Sequence, residues 1–92
     1  MTFNTYATSQ TIPAGAVLGL KCAPPPGGMT LTLQGQEGEI VYAFNANADT
    51  VAFLDSLGAN FGINTVYELT QQGQAVVLIF TGGQWWVMGE FV

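Results

Sequence analysis

Few of the residue types that perform catalysis occur in this chain. It contains no His, and its only cysteine is Cys22. A serine or cysteine nucleophile that depends on an imidazole base is therefore excluded. A single cysteine cannot form an internal disulfide, and no His or Arg is present to lower its pKa. We interpret Cys22 as a small buried apolar residue in a reduced compartment, since free cysteines are among the most buried residue types.

Two of the six carboxylates stand close together in the sequence and could act as a pair. Glu37 and Glu39 are separated only by Gly38, and two carboxyl groups roughly 5–10 Å apart are what glycoside hydrolysis requires. They lie in a predicted turn, where a solvated pair is the ordinary outcome. The sequence therefore does not predict an enzyme.

Asn45, Asn47 and Asp49 have the spacing of the first three ligands of a calcium loop. That motif continues with Gly at its sixth position and Glu at its twelfth, whereas this chain has Thr50 and Ser56 there. Asn- and Asp-rich turns form without a metal, and no Cys/His cluster suits zinc. No metal or cofactor is predicted.

Four aromatic residues could stack on a sugar, with Asn and Gln side chains as hydrogen-bonding partners: Tyr42, Tyr67, Trp85 and Trp86. The alternative is structural, because adjacent residues of a strand point to opposite faces. One tryptophan would then enter the core while the other lies at a subunit contact. The residues predicted for the core or this contact are Leu78, Phe80, Trp85, Trp86 and Val87.

The composition indicates a small domain that assembles. Ninety-two residues form one domain, and a domain of this size buries only about 60% of the surface of its unfolded chain. Hydrophobic residues make up 49% and charged residues 8% of the chain, against a usual charged share of about 25%. Because an apolar surface is usually covered by partners, we predict a homo-oligomer, and specifically a homotrimer.

The charge excludes two classes of partner. The net charge is −5, and Lys21 is the only cationic side chain. Binding of nucleic acid needs several Lys or Arg residues to neutralise phosphates, and anionic membrane surfaces make the same demand.

The longest apolar run, residues 75–80, is much shorter than the roughly 20 residues that span a bilayer. The first ten residues have no secretory signal pattern.

Apolar residues alternate with polar ones along most of the chain, as in residues 29–34 and 40–44. Gly- and Pro-rich turns separate these segments at intervals of about ten residues, and no segment has helical periodicity. This pattern predicts an all-β domain of about seven or eight strands, an antiparallel β-sandwich or barrel of the jelly-roll or tulip type. Residues 11–92 form this domain, and residues 1–10 are an N-terminal arm or an edge strand.

Three segments resemble β-modules of tailed-phage structural proteins: TIPAGAVLGLK (11–21), MTLTL (29–33) and QGQAVVLIFTGGQWWVMG (72–89). Such modules occur as capsid decoration (cement) proteins and in head and tail fibres, commonly as trimers. The resemblance implies a structural protein on the capsid surface of a virion, made in the host cytoplasm, whose partners are its own copies and the major capsid protein. A fibre module that binds a host receptor or a carbohydrate is the alternative. We expect a freestanding decoration protein, since a fibre would add a long shaft.

Two segments are candidates for the contact with the capsid. The arm carries Phe3 and Tyr6 as its only large apolar groups, and these could anchor it on the shell or on the next trimer. The loop with Pro24, Pro25 and Pro26 is preset in shape, so that it binds a partner without an ordering cost.

Overall fold

The structure is a computed structural model that describes all 92 residues and contains nine β-strands. The strands are β1 (Phe3–Tyr6), β2 (Gln10–Ile12), β3 (Val17–Cys22), β4 (Met29–Leu33), β5 (Ile40–Asn45), β6 (Val51–Asp55), β7 (Tyr67–Leu69), β8 (Ala75–Thr81) and β9 (Gln84–Phe91). The prediction of an all-β domain is confirmed. The chain forms no helix of the length and apolarity needed to cross a membrane.

The strands form two mixed sheets. The large sheet has the order β1-β3-β5-β8-β9, and the small sheet has the order β2-β4-β6-β7. From β1 to β6, successive strands alternate between the two sheets, so the chain winds as a flattened coil. Val17 lies opposite Ile40 and Met29 opposite Val51, which means that one turn of the coil takes about 22 residues.

The prediction of a wholly antiparallel fold is wrong. Four of the seven strand pairings are parallel, namely β1 with β3, β3 with β5, β2 with β4 and β4 with β6. Parallel neighbours need a crossover connection of a dozen or more residues. Here the crossover between two strands of one sheet is a strand of the other sheet. The three antiparallel pairings are β7 with β6, β8 with β5 and β9 with β8.

The strand β2 is the element that the sequence pattern missed. It is only three residues long, and Ile12 is its single apolar side chain, so no alternation marks it. The structure places Ile12 in the core with 2% of its surface exposed. The long segment between β6 and β7 is a loop in which Phe61 forms isolated bridges with Asn64 and Trp85.

Both sheets contribute their inward-facing residues to one hydrophobic core. Alternation along each strand selects these residues, as in β4, where Met29, Leu31 and Leu33 are buried between half-buried threonines. The core consists of Ile12, Leu20, Cys22, Met29, Leu31, Leu33, Val41, Ala43, Val51, Phe53, Phe61, Leu69, Val76, Leu78 and Trp85.

Candidate interaction surfaces

The outward side of the large sheet is almost entirely apolar, and three rows of residues cross it. The rows are Val17, Ile40, Ile79 and Trp86; then Phe3, Gly19, Tyr42, Val77 and Gly89; then Thr5, Lys21, Phe44, Ala75 and Phe91. We call this surface the aromatic face. Its residues point away from the small sheet, because the alternate positions of the same strands fill the core.

A β-bulge brings two aromatic residues of β9 to the same face. Trp86 and Phe91 are five positions apart, so in a regular strand they would point in opposite directions. The register of β9 shifts between Val77 and Leu78 of its neighbour, which leaves Met88 without a partner. Beyond this extra residue the alternation is inverted. Trp86 and Phe91 therefore both lie on the aromatic face, opposite Ile79 and Ala75.

A shallow pocket of about 160 Å³ lies in the middle of the aromatic face. All eight residues that line it are hydrophobic: Phe3, Tyr42, Ala43, Phe44, Ala75, Val76, Val77 and Phe91. Phe3 reaches it from the edge strand β1 and packs edge-on against Phe44 with ring centroids 5.5 Å apart. Phe91 reaches it from β9, the opposite edge of the sheet.

Two glycines allow the edge aromatics to fold across the sheet. A Cβ atom on Gly19 would lie 2.6 Å from the carbonyl oxygen of Thr2 and 3.2 Å from the Phe3 ring. A Cβ atom on Gly89 would lie 3.3 Å from the Phe91 ring. A side chain at Gly19 would therefore displace β1, and one at Gly89 would press on the ring that borders the pocket.

The outward side of the small sheet has a different chemistry. Its residues are Thr11, Thr30, Thr32, Ala52, Leu54 and Glu68. We call this surface the threonine face. A groove of about 380 Å³ lies on it and is lined mainly by Gly, Ser and Thr, with Glu68 at one side. The Ser9 hydroxyl at the rim of this groove accepts a hydrogen bond from the Thr30 N–H at 2.9 Å.

The two adjacent tryptophans lie in opposite environments. Trp85 is fully buried, stacks on Phe61 at 6.0 Å and meets Phe80 edge-on at 5.1 Å. Its indole N–H donates to Asp55 Oδ1 at 2.9 Å. Trp86 keeps 46% of its surface exposed on the aromatic face. Its indole N–H donates to the carbonyl oxygen of Thr81 at 3.2 Å, so the ring lies along the β8–β9 turn.

The other residues predicted for the core or a subunit contact divide between these environments. Leu78 is fully buried, while Phe80 and Val87 are half-buried and pack against the core. Phe61 also belongs to this cluster, and sequence reasoning missed it because it lies in a Gly- and Asn-rich loop without alternation. A large aromatic residue that stands alone in such a loop could have indicated that Phe61 packs into the core.

The structure does not assemble the four aromatics of the hypothetical sugar platform. Trp85 is in the core, and Tyr67 lies on the small sheet, where burial and the nearby Glu90 raise its pKa to about 12. Only Tyr42 and Trp86 share the aromatic face. The pocket beside Tyr42 is lined by hydrophobic residues alone, so it lacks the convergent polar groups that fix the orientation of a sugar.

The five residues predicted to contact the capsid do not form one surface. Phe3 is 43% exposed on the aromatic face, whereas Tyr6 is half-buried and packs against the core. Both belong to β1, which is an edge strand paired with β3 rather than a detached arm. In the proline loop Pro24 is buried, and its carbonyl oxygen accepts a hydrogen bond from Asn47 Nδ2 at 3.0 Å. Pro25 and Pro26 are exposed.

Glu37 and Glu39 do not converge. Glu37 is exposed and accepts hydrogen bonds from the Thr81 hydroxyl and the Gly82 N–H, which lower its pKa. Glu39 is 1% exposed and accepts from the N–H groups of Gly15 at 2.9 Å and Gln36 at 3.3 Å. Burial raises the pKa of Glu39, and the charge of Asp55 adds to this rise. Each carboxylate ties loops together, which is a structural role.

The Asn45–Asp49 turn uses its polar groups on its own loops. Asn45 is fully buried, and its amide donates to the carbonyl oxygens of Asp49 at 2.8 Å and Leu69 at 3.3 Å. Asp49 Oδ1 accepts from the Gly27 N–H at 3.3 Å. No three Asp, Glu, His or Cys side chains converge anywhere in the protein to hold a metal ion.

Cys22 is fully buried in the core, and burial raises the pKa of its thiol to about 12. Only thiolates are reactive, so this thiol is inert. No protein-family model matches the chain, and no curated protein matches it at a significant level.

Proposed function

We propose that this protein is a structural protein of a tailed phage, a capsid decoration protein that binds the assembled head shell as a homotrimer. The observation that carries the proposal is the aromatic face, a broad apolar surface on a chain whose buried polar residues Glu39 and Asn45 bind its own loops. A protein with such a surface and no convergent catalytic groups is built to be covered by other proteins.

Two of the segments that resemble phage β-modules contribute to the two outer faces of the protein. The segment 72–89 comprises most of the β8–β9 pair, and it supplies Ala75, Val77, Ile79, Trp86 and Gly89 of the aromatic face. The segment 29–33 is β4, whose outward threonines belong to the threonine face. In the proposal the two sheets act as the layers of a β-sandwich. The large sheet meets neighbouring copies, while the small sheet and the exposed prolines Pro25 and Pro26 are free to meet the major capsid protein.

The mechanism is stabilisation by selective binding. A protein that binds the assembled shell and not its separate subunits shifts the equilibrium toward the shell by mass action. A trimer presents three copies of the same contact, and linking them raises the overall affinity by about 10²- to 10⁴-fold without any new chemistry. A weak contact through a few uncharged side chains is then sufficient.

The test is carried out on virions of the phage whose genome encodes the chain. Quantitative mass spectrometry of purified particles should find about three copies of the protein for each three-fold position on the shell, because each position holds one trimer. Particles stripped of it should lose their shell at a lower temperature, and re-addition of the purified protein should restore the wild-type value. Absence from the virion would overturn the proposal. A few copies at the tail would instead support the receptor-binding fibre module.

A further inference from the structure

We infer that the aromatic face is the surface through which copies of this chain associate, and that its occupant is a second copy of the same face or of its rim. This inference rests on the self-assembly included in the proposed function and assigns it to one side of one sheet. The alternatives are a segment of a capsid protein or a sugar.

Charge is the first reason for a second copy. The chain has a net charge of −5, so copies that approach one another repel unless the contact is free of carboxylates. The aromatic face carries none of the six. Glu39 is buried, Asp55 binds the Trp85 indole on the core side, and Glu68 is on the threonine face. Glu37 and Asp49 are tied to loops, and Glu90 lies opposite the inward-facing Val76, near Tyr67.

The size of the face is the second reason. Five strands with a spacing of about 4.8 Å and three outward rows about 7 Å apart cover roughly 24 by 20 Å. Two copies that cover each other's faces bury about 1,000 Å², which reaches the area that a specific protein interface needs. The threonine face, on the small sheet, has no comparable apolar surface.

The shape of the face is the third reason. The pocket between Phe3 and Phe91 has a volume of about 160 Å³, enough for one large aliphatic or aromatic side chain. Trp86 and Phe91 are exposed on the same face by 46% and 57% of their surface. The face thus carries both apolar projections and an apolar recess, so that it is complementary to another copy of itself. The hydrophobic lining of the recess offers a sugar no polar partner beyond the Tyr42 hydroxyl.

The first experiment measures mass in solution by light scattering or native mass spectrometry. At about 10 µM the mass of the wild-type protein should exceed the 9.7 kDa of one chain. It should reach twice that mass if the face covers the same face of one partner, and three times that mass if it covers the rim of the next copy. Val77→Glu puts a carboxylate at the centre of the aromatic face and should raise the dissociation constant about 100-fold or more. Thr32→Glu, the matched control on the threonine face, should change it less than about 3-fold. Circular dichroism and the buried Trp85 fluorescence report whether each variant is folded.

A second experiment introduces no new charge, so its result does not depend on whether the folded protein tolerates a carboxylate on the aromatic face. Val77→Cys places a thiol of similar size on the aromatic face, and it is the only reactive thiol because Cys22 is fully buried. A short bis-maleimide should cross-link Val77→Cys into covalent dimers at protein concentrations where Thr32→Cys remains monomeric on a denaturing gel. The same reagent should leave the wild-type protein unlinked.

The outcomes separate this inference from the proposed function. A monomeric wild-type protein at 10 µM, or an oligomer that neither Val77→Glu dissociates nor Val77→Cys cross-links, overturns the inference, even if the protein is found on virions. An oligomer that behaves as described but is absent from virions supports the inference and overturns the proposed function. Cross-linking of Val77→Cys to a capsid protein and not to a second copy identifies the other occupant and also overturns the inference.

Discussion

The outer faces of the two sheets are both formed by alternating strands, but one face is apolar and the other carries hydroxyl groups. On the large sheet the outward positions of the central strand β5 are Ile40, Tyr42 and Phe44, whereas β4 of the small sheet presents Thr30 and Thr32. Threonine is β-branched and favours strands as strongly as valine or isoleucine does. Replacing outward aliphatic and aromatic side chains by threonine therefore changes what a face binds while the strand itself is kept.

This difference explains how a chain with 8% charged residues has a polar surface at all. Hydroxyl groups hydrogen-bond to water without a net charge, so the threonine face is solvated although Glu68 is its only charged residue. The core depends on the inward residues of both sheets. Changes at inward positions should therefore alter the free energy of unfolding, and changes at outward positions should alter association. The following predictions test that division, from the largest expected effect to the smallest.

The largest effect is expected from the pair of adjacent tryptophans. Trp85→Ala removes a fully buried ring that packs on Phe61 and Phe80 and should lower the free energy of unfolding by about 3–5 kcal/mol. Trp86→Ala should cost less than about 1 kcal/mol in the isolated chain and instead weaken association. Urea titration at low protein concentration measures the first quantity, and light scattering the second. Equal losses of stability in both variants would contradict the division between the two faces.

The second largest effect is expected at Asp55, an inward carboxylate. Asp55 accepts hydrogen bonds from the Trp85 indole and from the N–H groups of Leu57 and Ala59. Asp55→Ala leaves these donors without partners and should lower the free energy of unfolding by about 2–3 kcal/mol. Glu68→Ala removes the same charge from the threonine face and should change stability by less than about 0.5 kcal/mol. Chemical denaturation of both variants gives the comparison, and a similar loss in the two would refute it.

The third prediction concerns the pH dependence of stability. Burial, and then the charge of Asp55, raise the pKa of Glu39 above its ordinary 4.5, so the folded state holds this proton more tightly than the unfolded state does. The contribution of Glu39 is fully present below about pH 4.5 and is lost as pH rises through its folded pKa. The stability of the wild type relative to Glu39→Gln should therefore fall as pH rises above about 4.5.

Glu37→Gln is the matched control for this titration. Hydrogen bonds from Thr81 and Gly82 lower the pKa of Glu37, so its contribution has the opposite sign. It is present above about pH 4.5 and is lost as pH falls through the folded pKa. Thermal unfolding of the three proteins should show that the stability of the wild type relative to Glu37→Gln falls as pH drops below about 4.5, whereas its stability relative to Glu39→Gln falls as pH rises above about 4.5. The two differences therefore have slopes of opposite sign. Slopes of the same sign would contradict the assignment of one buried and one exposed carboxylate.

The smallest effect on stability is expected on the threonine face. Thr32→Val keeps the β-branched shape and should change the free energy of unfolding by less than about 0.5 kcal/mol. Thr30→Val combined with it should make this face apolar as well, so that the protein forms species larger than the wild-type oligomer. Sedimentation velocity measures the distribution. An unchanged distribution for the double variant would mean that an apolar outer face is not sufficient for association.

Alternation and turn residues predicted the strands well, because both depend on neighbours in sequence. The predicted segments around Met29–Leu33, Ile40–Asn45 and Gln84–Phe91 correspond to β4, β5 and β9. Strand pairing could not be predicted in this way, since the same alternation suits parallel and antiparallel neighbours. The connections between β1 and β6 have ordinary turn residues, yet they cross between sheets.

Two features of the candidate surface were also beyond the reach of the sequence pattern. Strict alternation puts Phe91 on the same side as Trp85, and only the bulge at Met88 turns it to the aromatic face beside Trp86. The isolated Phe3 gave no sign of its contact with Phe44, which depends on the pairing of β1 with β3 and β5. The opposite orientations of Trp85 and Trp86 could be predicted from the sequence, because adjacent residues of a strand point to opposite faces.

The coil formed by β1 to β6 gives the protein two unlike ends. At one end, β7 and the β8–β9 pair run antiparallel to the last turn and occupy the positions where another turn would add. At the other end, β1 and β2 leave short strands of four and three residues unpaired along one edge. Short edges are poor templates for edge-to-edge aggregation. A chain of this design can therefore lengthen by internal duplication of one turn, about 22 residues at a time. The antiparallel strands β7, β8 and β9 at one end and the short edge strands β1 and β2 at the other end would stay the same.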